Sequence, residues 1–315
     1  MSTPESTPLP PGFAFTKTLH REPYPAISPT RPELSQAGRT VLITGGHQGI
    51  GLAIARAFGQ AQAARIIIIG RRPDVVIASV SQLSADFPST QVSGHAIDIT
   101  DRKAVAGLWD DLASKSILVD VAVLNAARIT MGEIPKLGTD TIWDDYVTNV
   151  LSCIDFSERL QKQPGAKDRP KAIVNLSSMA IHDNAFTDQF PLYAASKSAN
   201  TMLLQMMARH LNPEELQVLS YHPGGIFTEQ ARNYGLSPDD PAWDDERLCG
   251  QFAVWAASPE ARFMHGRFLW AKWDVTQLRE AELRGRLEKD DTFLRVGVVG
   301  LREWESRAKV DKADA

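Results

Sequence analysis

Tyr193 and Lys197, four residues apart, form the pair of side chains in this sequence best suited to move a proton. Residues spaced i and i+4 lie on one face of a helix, so the ammonium group would sit beside the phenol. A phenol has an ordinary pKa of about 10, and a neighbouring positive charge favours its ionised form. We therefore expect Lys197 to lower the pKa of Tyr193, and Tyr193 to act as a general acid or base. The alternative for Tyr193 is amphipathic packing at a helix start.

A glycine-rich turn, Thr-Gly-Gly-His-Gln-Gly-Ile-Gly, runs from Thr44 to Gly51 between an apolar run and a helical pattern. Glycines permit a tight turn and a close approach of backbone to a pyrophosphate, and a helix N-terminus offers unpaired N–H groups. This context predicts a dinucleotide site, with a simple strand–helix turn as the alternative. The turn lacks the Gly-Lys-Ser/Thr ending of a P-loop, which argues against a phosphotransferase.

The residues that would select between cofactors lie about 20 positions beyond the last glycine. Gly70, Arg71 and Arg72 stand there, so no acid is placed to accept a hydrogen bond from the 2′-hydroxyl of NAD. A guanidinium group suits a 2′-phosphate, which favours NADP. Because Gln48 adds no second positive charge, NAD remains possible. The alternative is that both arginines are solvated loop charges.

Five apolar runs, separated by helical patterns, must position these groups. Continuous apolar runs suit parallel strands buried on both faces, and strand–helix alternation implies right-handed crossovers. The sequence thus predicts an α/β protein with a doubly wound parallel sheet in a single domain, with ligands beyond the carboxyl ends of the strands. The runs are Val41–Ile43, Ile66–Ile69, Val119–Leu124, Ala172–Leu176 and Val218–Tyr221.

The composition excludes several classes of function. With 34 Lys and Arg against 38 Asp and Glu, the net charge of −4 leaves no electrostatic footprint for nucleic acid. No apolar run approaches the roughly 20 residues of a membrane-spanning helix, so no membrane partner is expected. Cys153 and Cys249 lie far apart, which favours a reducing compartment, the cytoplasm, over a disulfide scaffold. The seven histidines show no metal-binding spacing, so no metal is expected.

Further residues complete an ordered pattern: Asp98, Asn125-Ala126-Ala127, Asn149 and Ser178 precede Tyr193-x-x-x-Lys197, and a Pro-Gly loop follows at 223–228. With the glycine spacing, they resemble the short-chain dehydrogenase/reductase family, in its short single-domain branch, over residues 39–267. The resemblance implies a Rossmann fold and an oxidoreductase that moves a hydride between nicotinamide and a ketone or secondary alcohol.

The resemblance also assigns roles to single residues. Tyr193 would transfer the proton, and Lys197 would also bind the nicotinamide ribose. Ser178 would hydrogen-bond the substrate oxygen, although Ser177 competes because the step from Ser178 to Tyr193 is about two residues longer than in most relatives. Asn149 would hold a water that connects Lys197 to solvent. The residues implied for the cofactor are Gly45, His47, Gln48, Gly49, Ile50, Gly51, Arg71, Arg72, Asp98, Ile99, Asn125, Ala126, Tyr193, Lys197, Pro223, Gly224, Ile226 and Thr228.

The chain would divide into a proline-rich arm at 1–38, a Rossmann domain at 39–275 and a C-terminal helical extension at 276–315. In relatives the segment after the Pro-Gly loop is a lid, here about 229–247, and the loop at 181–191 would face it. The arm carries eight of the 19 prolines and is expected to be extended on the domain or partly disordered.

The two walls predict the substrate class. Their apolar side chains, including Phe186, Phe190, Tyr234 and Trp243, indicate a hydrophobic small-molecule carbonyl or alcohol, as in natural-product reductases of filamentous fungi. A methionine-rich face on the helix after Tyr193 is typical of an interface or core, which favours a homodimer or homotetramer. The alternative function is a cofactor-binding sensor or scaffold with little redox turnover, but the intact set of four candidate catalytic residues argues against it.

Overall fold

A computed structural model describes residues 15–163, 169–183, 187–188 and 190–298. Seven parallel strands form one sheet in the order β3-β2-β1-β4-β5-β6-β7, so the predicted doubly wound parallel sheet is confirmed. The strands are β1 (Thr40–Thr44), β2 (Arg65–Gly70), β3 (Gln91–Ala96), β4 (Val121–Leu124), β5 (Lys171–Leu176), β6 (Leu216–His222) and β7 (Phe268–Trp270).

Helices cover both faces of this sheet. Several begin where the sequence supplies a start signal: Asp101 accepts from two N–H groups of the first turn of α3, and Pro191, which lacks an N–H, opens α7. The helices are α1 (Gly49–Gln60), α2 (Pro73–Asp86), α3 (Arg102–Ser114), α4 (Ile134–Leu137), α5 (Thr139–Tyr146), α6 (Ser152–Lys162), α7 (Pro191–Ala208), α8 (Glu229–Asn233), α9 (Glu246–Ala256) and α10 (Ala281–Lys289).

The strand order reverses between β1 and β4. The chain moves outward from β1 to β2 and β3, then returns to place β4 on the other side of β1. A crevice therefore opens at the carboxyl ends of these two strands, which is where doubly wound sheets bind their ligands. Two apolar layers fill the space between the sheet and the helices on its two faces.

The two outer strands, β3 and β7, are not among the strands predicted from continuous apolar runs. β3 is an edge strand whose side chains are partly or largely exposed, so it carries no continuous apolar run. β7 is buried but has three residues, which is too short to stand out in a sequence. β3 pairs with β2 along its whole length, as in the pairing of Gly70 with Ala96, and β7 pairs with the longer β6.

The described part of the N-terminal arm packs on the domain. Leu19 forms a bridge with Trp273, and Tyr24 accepts a hydrogen bond from Val275 N and donates one to Trp273 O, each at 3.0 Å. Ile27 and Leu34 are fully buried. Residues 1–14 of the predicted arm and 299–315 of the predicted extension lie outside the described residues, and α10 lies within the rest of that extension.

Candidate active site

The glycine turn lies at the carboxyl end of β1 and is held by contacts that a side chain would disrupt. Gly45 and Gly49 have φ angles of +67° and +49°, in the left-handed region that favours glycine. A Cβ atom on Gly51 would stand 2.1 Å from the carbonyl oxygen of Gly45, and one on Gly45 would stand 2.8 Å from Nδ2 of Asn125. The first turn of α1 is therefore held tight against the turn, with its N–H groups at the crevice.

Asn125 joins the ends of β1 and β4 beneath this turn. Its Nδ2 donates to Thr44 O at 2.9 Å and to Gly45 O at 3.3 Å. The hydroxyl oxygen of Thr44 accepts from the N–H groups of Asn125 and Ala126 at 3.0 and 3.1 Å. Asn125 and Ala126 thus support the glycine turn through the backbone.

The candidate selector site lies at the end of β2. The imidazole of His47 covers Gly70 so closely that a Cβ atom there would stand 2.2 Å from Nδ1 of His47. Arg71 and Arg72 follow and are exposed. The Nη2 of Arg72 donates to the side-chain oxygen of Gln48 and also lies 3.2 Å from a carboxylate oxygen of Glu229. The sequence pattern places Glu229 at the start of the lid and not at the selector site, because it is 157 residues away from Arg72 in the chain.

Asp98 and Ile99 lie just past the carboxyl end of β3, on the same side of the crevice as the selector residues. The carboxylate of Asp98 accepts from the N–H and the hydroxyl of Thr100, at 2.9 and 2.8 Å. Ile99 is buried. These contacts fix the backbone beside the place where the resemblance puts the adenine.

Tyr193 and Lys197 lie on one face of α7, as their spacing predicts. The ammonium of Lys197 is buried, lies 5.9 Å from the centroid of the Tyr193 ring and donates to Leu176 O at 2.7 Å. Burial raises the pKa of Tyr193 to about 12, while the Ser178 hydroxyl, which can donate to the phenolate, acts in the opposite direction. The expected lowering of the Tyr193 pKa by Lys197 is therefore wrong for this geometry, because the desolvation of the phenolate dominates.

The two serines after β5 have different surroundings. The hydroxyl of Ser177 is bonded to that of Thr201 at 2.7 Å in the interior, against α7. Ser178 begins the short 3₁₀ turn 179–181, where its Oγ accepts from Ala180 N at 3.2 Å, and it is the serine that acts on Tyr193. The geometry therefore brings Ser178, and not Ser177, to the phenol.

Asn149 is fully buried in a π-helical segment, Val147–Leu151, between α5 and α6. Its Nδ2 donates to Arg128 O at 2.8 Å and to Ser196 Oγ at 2.9 Å, and its Oδ1 accepts from Arg128 N at 2.8 Å. The side chain therefore ties the loop after β4 to α7 beside Lys197. A π turn inside a helical segment is a frequent mark of a functional site.

The Pro-Gly loop covers the opposite side of the crevice. Gly224 has a φ of +100°, and the N–H of Gly225 donates to the buried carboxylate of Asp244 at 2.9 Å. Pro223 and Ile226 are buried, and the methyl of Thr228 lies 3.5 Å from where a Cβ atom on Gly49 would stand. The loop therefore rests on the glycine turn, and the two together form a cradle at the carboxyl ends of the strands.

A sequence model of the short chain dehydrogenase family matches residues 39–238. The chain belongs to this family. It is 34% identical over 297 residues to a short chain dehydrogenase/reductase of Claviceps purpurea, covering 94% of this chain and 96% of that protein. It is 32% identical over 287 residues to the short chain dehydrogenase/reductase AacuD of Aspergillus aculeatus, covering 90% and 96%.

Solved structures show the same fold. The Pseudomonas aeruginosa RhlG/NADP active-site complex has a TM-score of 0.68 at 23% identity, over 76% of this chain and 97% of that one. L-sorbose reductase of Gluconobacter frateurii, complexed with NADPH and L-sorbose, has a TM-score of 0.66 at 21% identity, over 78% and 99%. As a short chain dehydrogenase, the chain is an oxidoreductase that uses a nicotinamide cofactor on a small-molecule carbonyl or alcohol.

Aromatic side chains surround the space beyond Tyr193 in this dehydrogenase. The rings of Phe190 and Tyr234 lie 6.2 Å apart, and the hydroxyl of Tyr234 donates to Ile129 O at 3.4 Å, so the predicted lid segment reaches the loop after β4. The indole of Trp270 donates to Nε2 of His182 at 3.2 Å. Phe186, which the sequence placed in this wall, lies outside the described residues.

His222 lies at the end of β6, against the ring of Trp270 at 4.8 Å between centroids. It is buried, its Nδ1 has no hydrogen-bond partner, and burial lowers its pKa to about 3. The imidazole is therefore neutral at any physiological pH. Across the part of the chain that the structure describes, no cluster of three metal-binding side chains occurs, and no helix there has the length and apolarity to cross a membrane.

Proposed function

We propose that this chain is an NADPH-dependent reductase that converts a hydrophobic ketone to a secondary alcohol, with Tyr193 as the proton donor. The observation that carries the proposal is the surroundings of Tyr193: the Ser178 hydroxyl acts on its phenol, and the buried Lys197 ammonium lies 5.9 Å from the centroid of its ring. The bound nicotinamide supplies the hydride, and the side chains of this protein handle the charge that develops on the substrate oxygen.

The raised pKa of Tyr193 keeps the phenol in the protonated form that a reduction requires. With a pKa of about 12, the phenol keeps its proton at neutral pH and donates it as an alkoxide forms. Ser178 stands where it donates a hydrogen bond to the same oxygen. Lys197 holds a positive charge beneath the ring and stabilises the phenolate left after the transfer.

The preference for NADPH is supported by two arginines and by the lack of an acid at the end of β2. Arg71 and Arg72 are exposed at the selector position, where a guanidinium pairs well with a 2′-phosphate. Four solved proteins with the same fold are described as complexes with NADP or NADPH, or as NADPH-dependent. The cradle fits such a cofactor, because its tightest points are glycines.

A hydrophobic substrate is supported by the composition of the walls. Phe190 and Tyr234 face each other, and Phe227 of the Pro-Gly loop packs edge-on against Trp243 of the lid at 5.5 Å. A sugar phosphate would require a cluster of basic side chains, and the described residues of these walls form no such cluster. The fungal relatives are consistent with a role in natural-product metabolism.

A homo-oligomer is part of the same proposal. Met202, Leu203 and Met206 lie exposed on α7, and Trp143 and Leu151 lie exposed on the neighbouring α5 and π-helical segments. A contiguous apolar face of this kind marks an interaction site. Light scattering should give the mass of a dimer or tetramer, and Met206→Glu should lower it; a monomeric wild type would contradict this part.

The test of the reaction is NADPH oxidation with a panel of aromatic and aliphatic ketones. Tyr193→Phe should lower kcat by at least about 100-fold while leaving the Kd of NADPH nearly unchanged, a typical loss for a general acid. Ser177→Ala and Ser178→Ala are a matched pair: turnover should fall strongly in the second and mildly in the first. A Tyr193→Phe enzyme with wild-type turnover would refute the role of Tyr193.

The test of the cofactor is a fluorescence titration with NADPH and NADH. NADPH should bind at least about tenfold more tightly, equivalent to about 1.4 kcal/mol. Arg71→Ala and Arg72→Ala should each reduce this ratio. Equal affinities for the two cofactors in the wild type would contradict the assignment to NADPH. They would not affect the conclusion that the chain belongs to the family.

A further inference from the structure

Arg72 already has an acidic partner, and that partner belongs to the lid. Its Nη2 lies 3.2 Å from Oε2 of Glu229, the first residue of α8, and the same nitrogen donates to Gln48. Arg72 follows β2 at the adenosine end of the crevice, whereas Glu229 follows the Pro-Gly loop at the nicotinamide end. The ion pair therefore spans the glycine turn, above the first residues of α1.

The pair contributes little to holding the fold together. Both side chains are about half exposed, at 48% and 54%, and exposed ion pairs are weak because water and salt screen them. The larger effect of the pair is on the electrostatic potential around Arg72. A carboxylate on Arg72 cancels a positive charge that a phosphate would otherwise meet, and it occupies a guanidinium nitrogen that a phosphate would bind.

We propose that Glu229 determines cofactor specificity by competing with the 2′-phosphate of NADP(H) for Arg72. This rests on the proposed function, which assigns the 2′-phosphate to the arginines at the end of β2. NADP(H) must break the Arg72–Glu229 pair to engage that guanidinium, whereas NAD(H), which has a hydroxyl at this position, leaves the pair intact. Glu229 therefore reduces the ratio between the affinities for NADP(H) and NAD(H). It also holds the start of the lid until a phosphate takes its place on Arg72.

The geometry around the pair supports a competition more than a positioning role. Gln48 also holds Arg72, so the guanidinium stays near the glycine turn without Glu229. Arg71 lies next to Arg72 and adds a second positive charge, so the phosphate has two cations and one competing anion. Removing the anion should strengthen phosphate binding by the amount that an exposed ion pair supplies.

The first experiment measures the Kd values of NADPH and NADH for Glu229→Gln at low ionic strength. We expect the Kd of NADPH to fall roughly two- to fivefold, the range that exposed ion pairs supply, and the Kd of NADH to stay the same or rise. Glu246→Gln is the matched control, because Glu246 is the exposed first residue of α9 and its loss removes the same charge at the same helical position. The control should leave both Kd values unchanged.

The second experiment is a double-mutant cycle with Arg72→Gln, using 2′,5′-ADP and ADP as probes that need no turnover. Arg72→Gln should weaken 2′,5′-ADP, and adding Glu229→Gln to it should have no further effect. If Arg72→Gln weakens 2′,5′-ADP but Glu229→Gln alone does not strengthen it, the competition is refuted and the proposed function stands. If Glu229→Gln weakens both probes, Glu229 positions Arg72 instead. If Arg72→Gln changes neither probe, the assignment of the phosphate to Arg72 and the competition fail together.

Discussion

At the dinucleotide end of the crevice, the backbone itself holds the geometry. Gly45, Gly51 and Asn125 touch one another at distances that leave no room for a further carbon. At the substrate end, charged side chains from distant segments hold it. The buried carboxylate of Asp244 pairs with Arg21 at 2.9 Å, across 223 residues of sequence, and with Lys272 at 3.0 Å.

This difference matches the different functions of the two ends of the crevice. A dinucleotide has fixed dimensions, so a turn built by steric exclusion suits it and tolerates little change. A substrate site must open to admit its substrate, so a segment held by a few ionic contacts suits it. We therefore expect changes at Asp244 to affect folding and the lid, and changes at the glycine turn to affect the cofactor.

The largest effect should come from Asp244→Ala. The change leaves the ammonium of Lys272, whose side chain is 13% exposed, and the N–H of Gly225 without their shared acceptor. Breaking a buried pair on one side costs about 3 kcal/mol or more, which urea unfolding should show as a loss in the free energy of unfolding. KM for the ketone should rise at the same time because the lid loses its attachment.

Asp239→Ala is the control, since Asp239 is an exposed acid of the same lid. It should change the free energy of unfolding by no more than about 0.5 kcal/mol. Equal effects of the two substitutions would show that the ionic contacts of Asp244 do not hold the substrate end together.

Gly51→Ala should have the next largest effect, at the other end. A methyl group 2.1 Å from Gly45 O forces the turn to move, which should weaken NADPH binding at least about tenfold and destabilise the fold by roughly 1–3 kcal/mol. Gly107→Ala in α3 is the matched control, because a Cβ atom there meets nothing within 4 Å. It should instead stabilise the protein by about 0.4–1 kcal/mol. Unchanged NADPH binding in Gly51→Ala would mean that the cradle adapts.

The same contrast explains what the sequence could and could not predict. The glycine turn, Asn125 and the Tyr193–Lys197 pair are short motifs whose chemistry depends on local spacing, so they could be predicted from neighbouring residues. β3 could not, because an edge strand has no continuous apolar run, and its place is fixed by pairing with β2.

Two features of the site depend on contacts that no local pattern encodes. Glu229 and Arg72 are 157 residues apart, and nothing in either segment indicates that they meet. The pKa of Tyr193 depends on how far the fold buries the phenol, whereas spacing predicts only that Lys197 lies on the same helical face. Charge proximity could be predicted from the sequence, but desolvation could not.

The effect that is smallest at neutral pH, and that grows as the pH falls, concerns the buried His222. Its pKa is about 3 in the fold, against about 6.5 when unfolded, so the unfolded chain binds the extra proton between these values. The stability that neutral His222 provides is therefore complete above about pH 6.5 and is lost as pH falls toward 3. Within this window the slope is about 1.4 kcal/mol per pH unit for one group.

Urea unfolding of wild type and His222→Gln at several pH values should show the wild type losing stability more steeply below pH 6. His47, His95, His182 and His265, whose pKa values burial also lowers, remain in both proteins, so the difference in slope reports on the loss of His222. Parallel curves would mean that His222 takes up its proton in the folded state, and that water reaches this part of the substrate end.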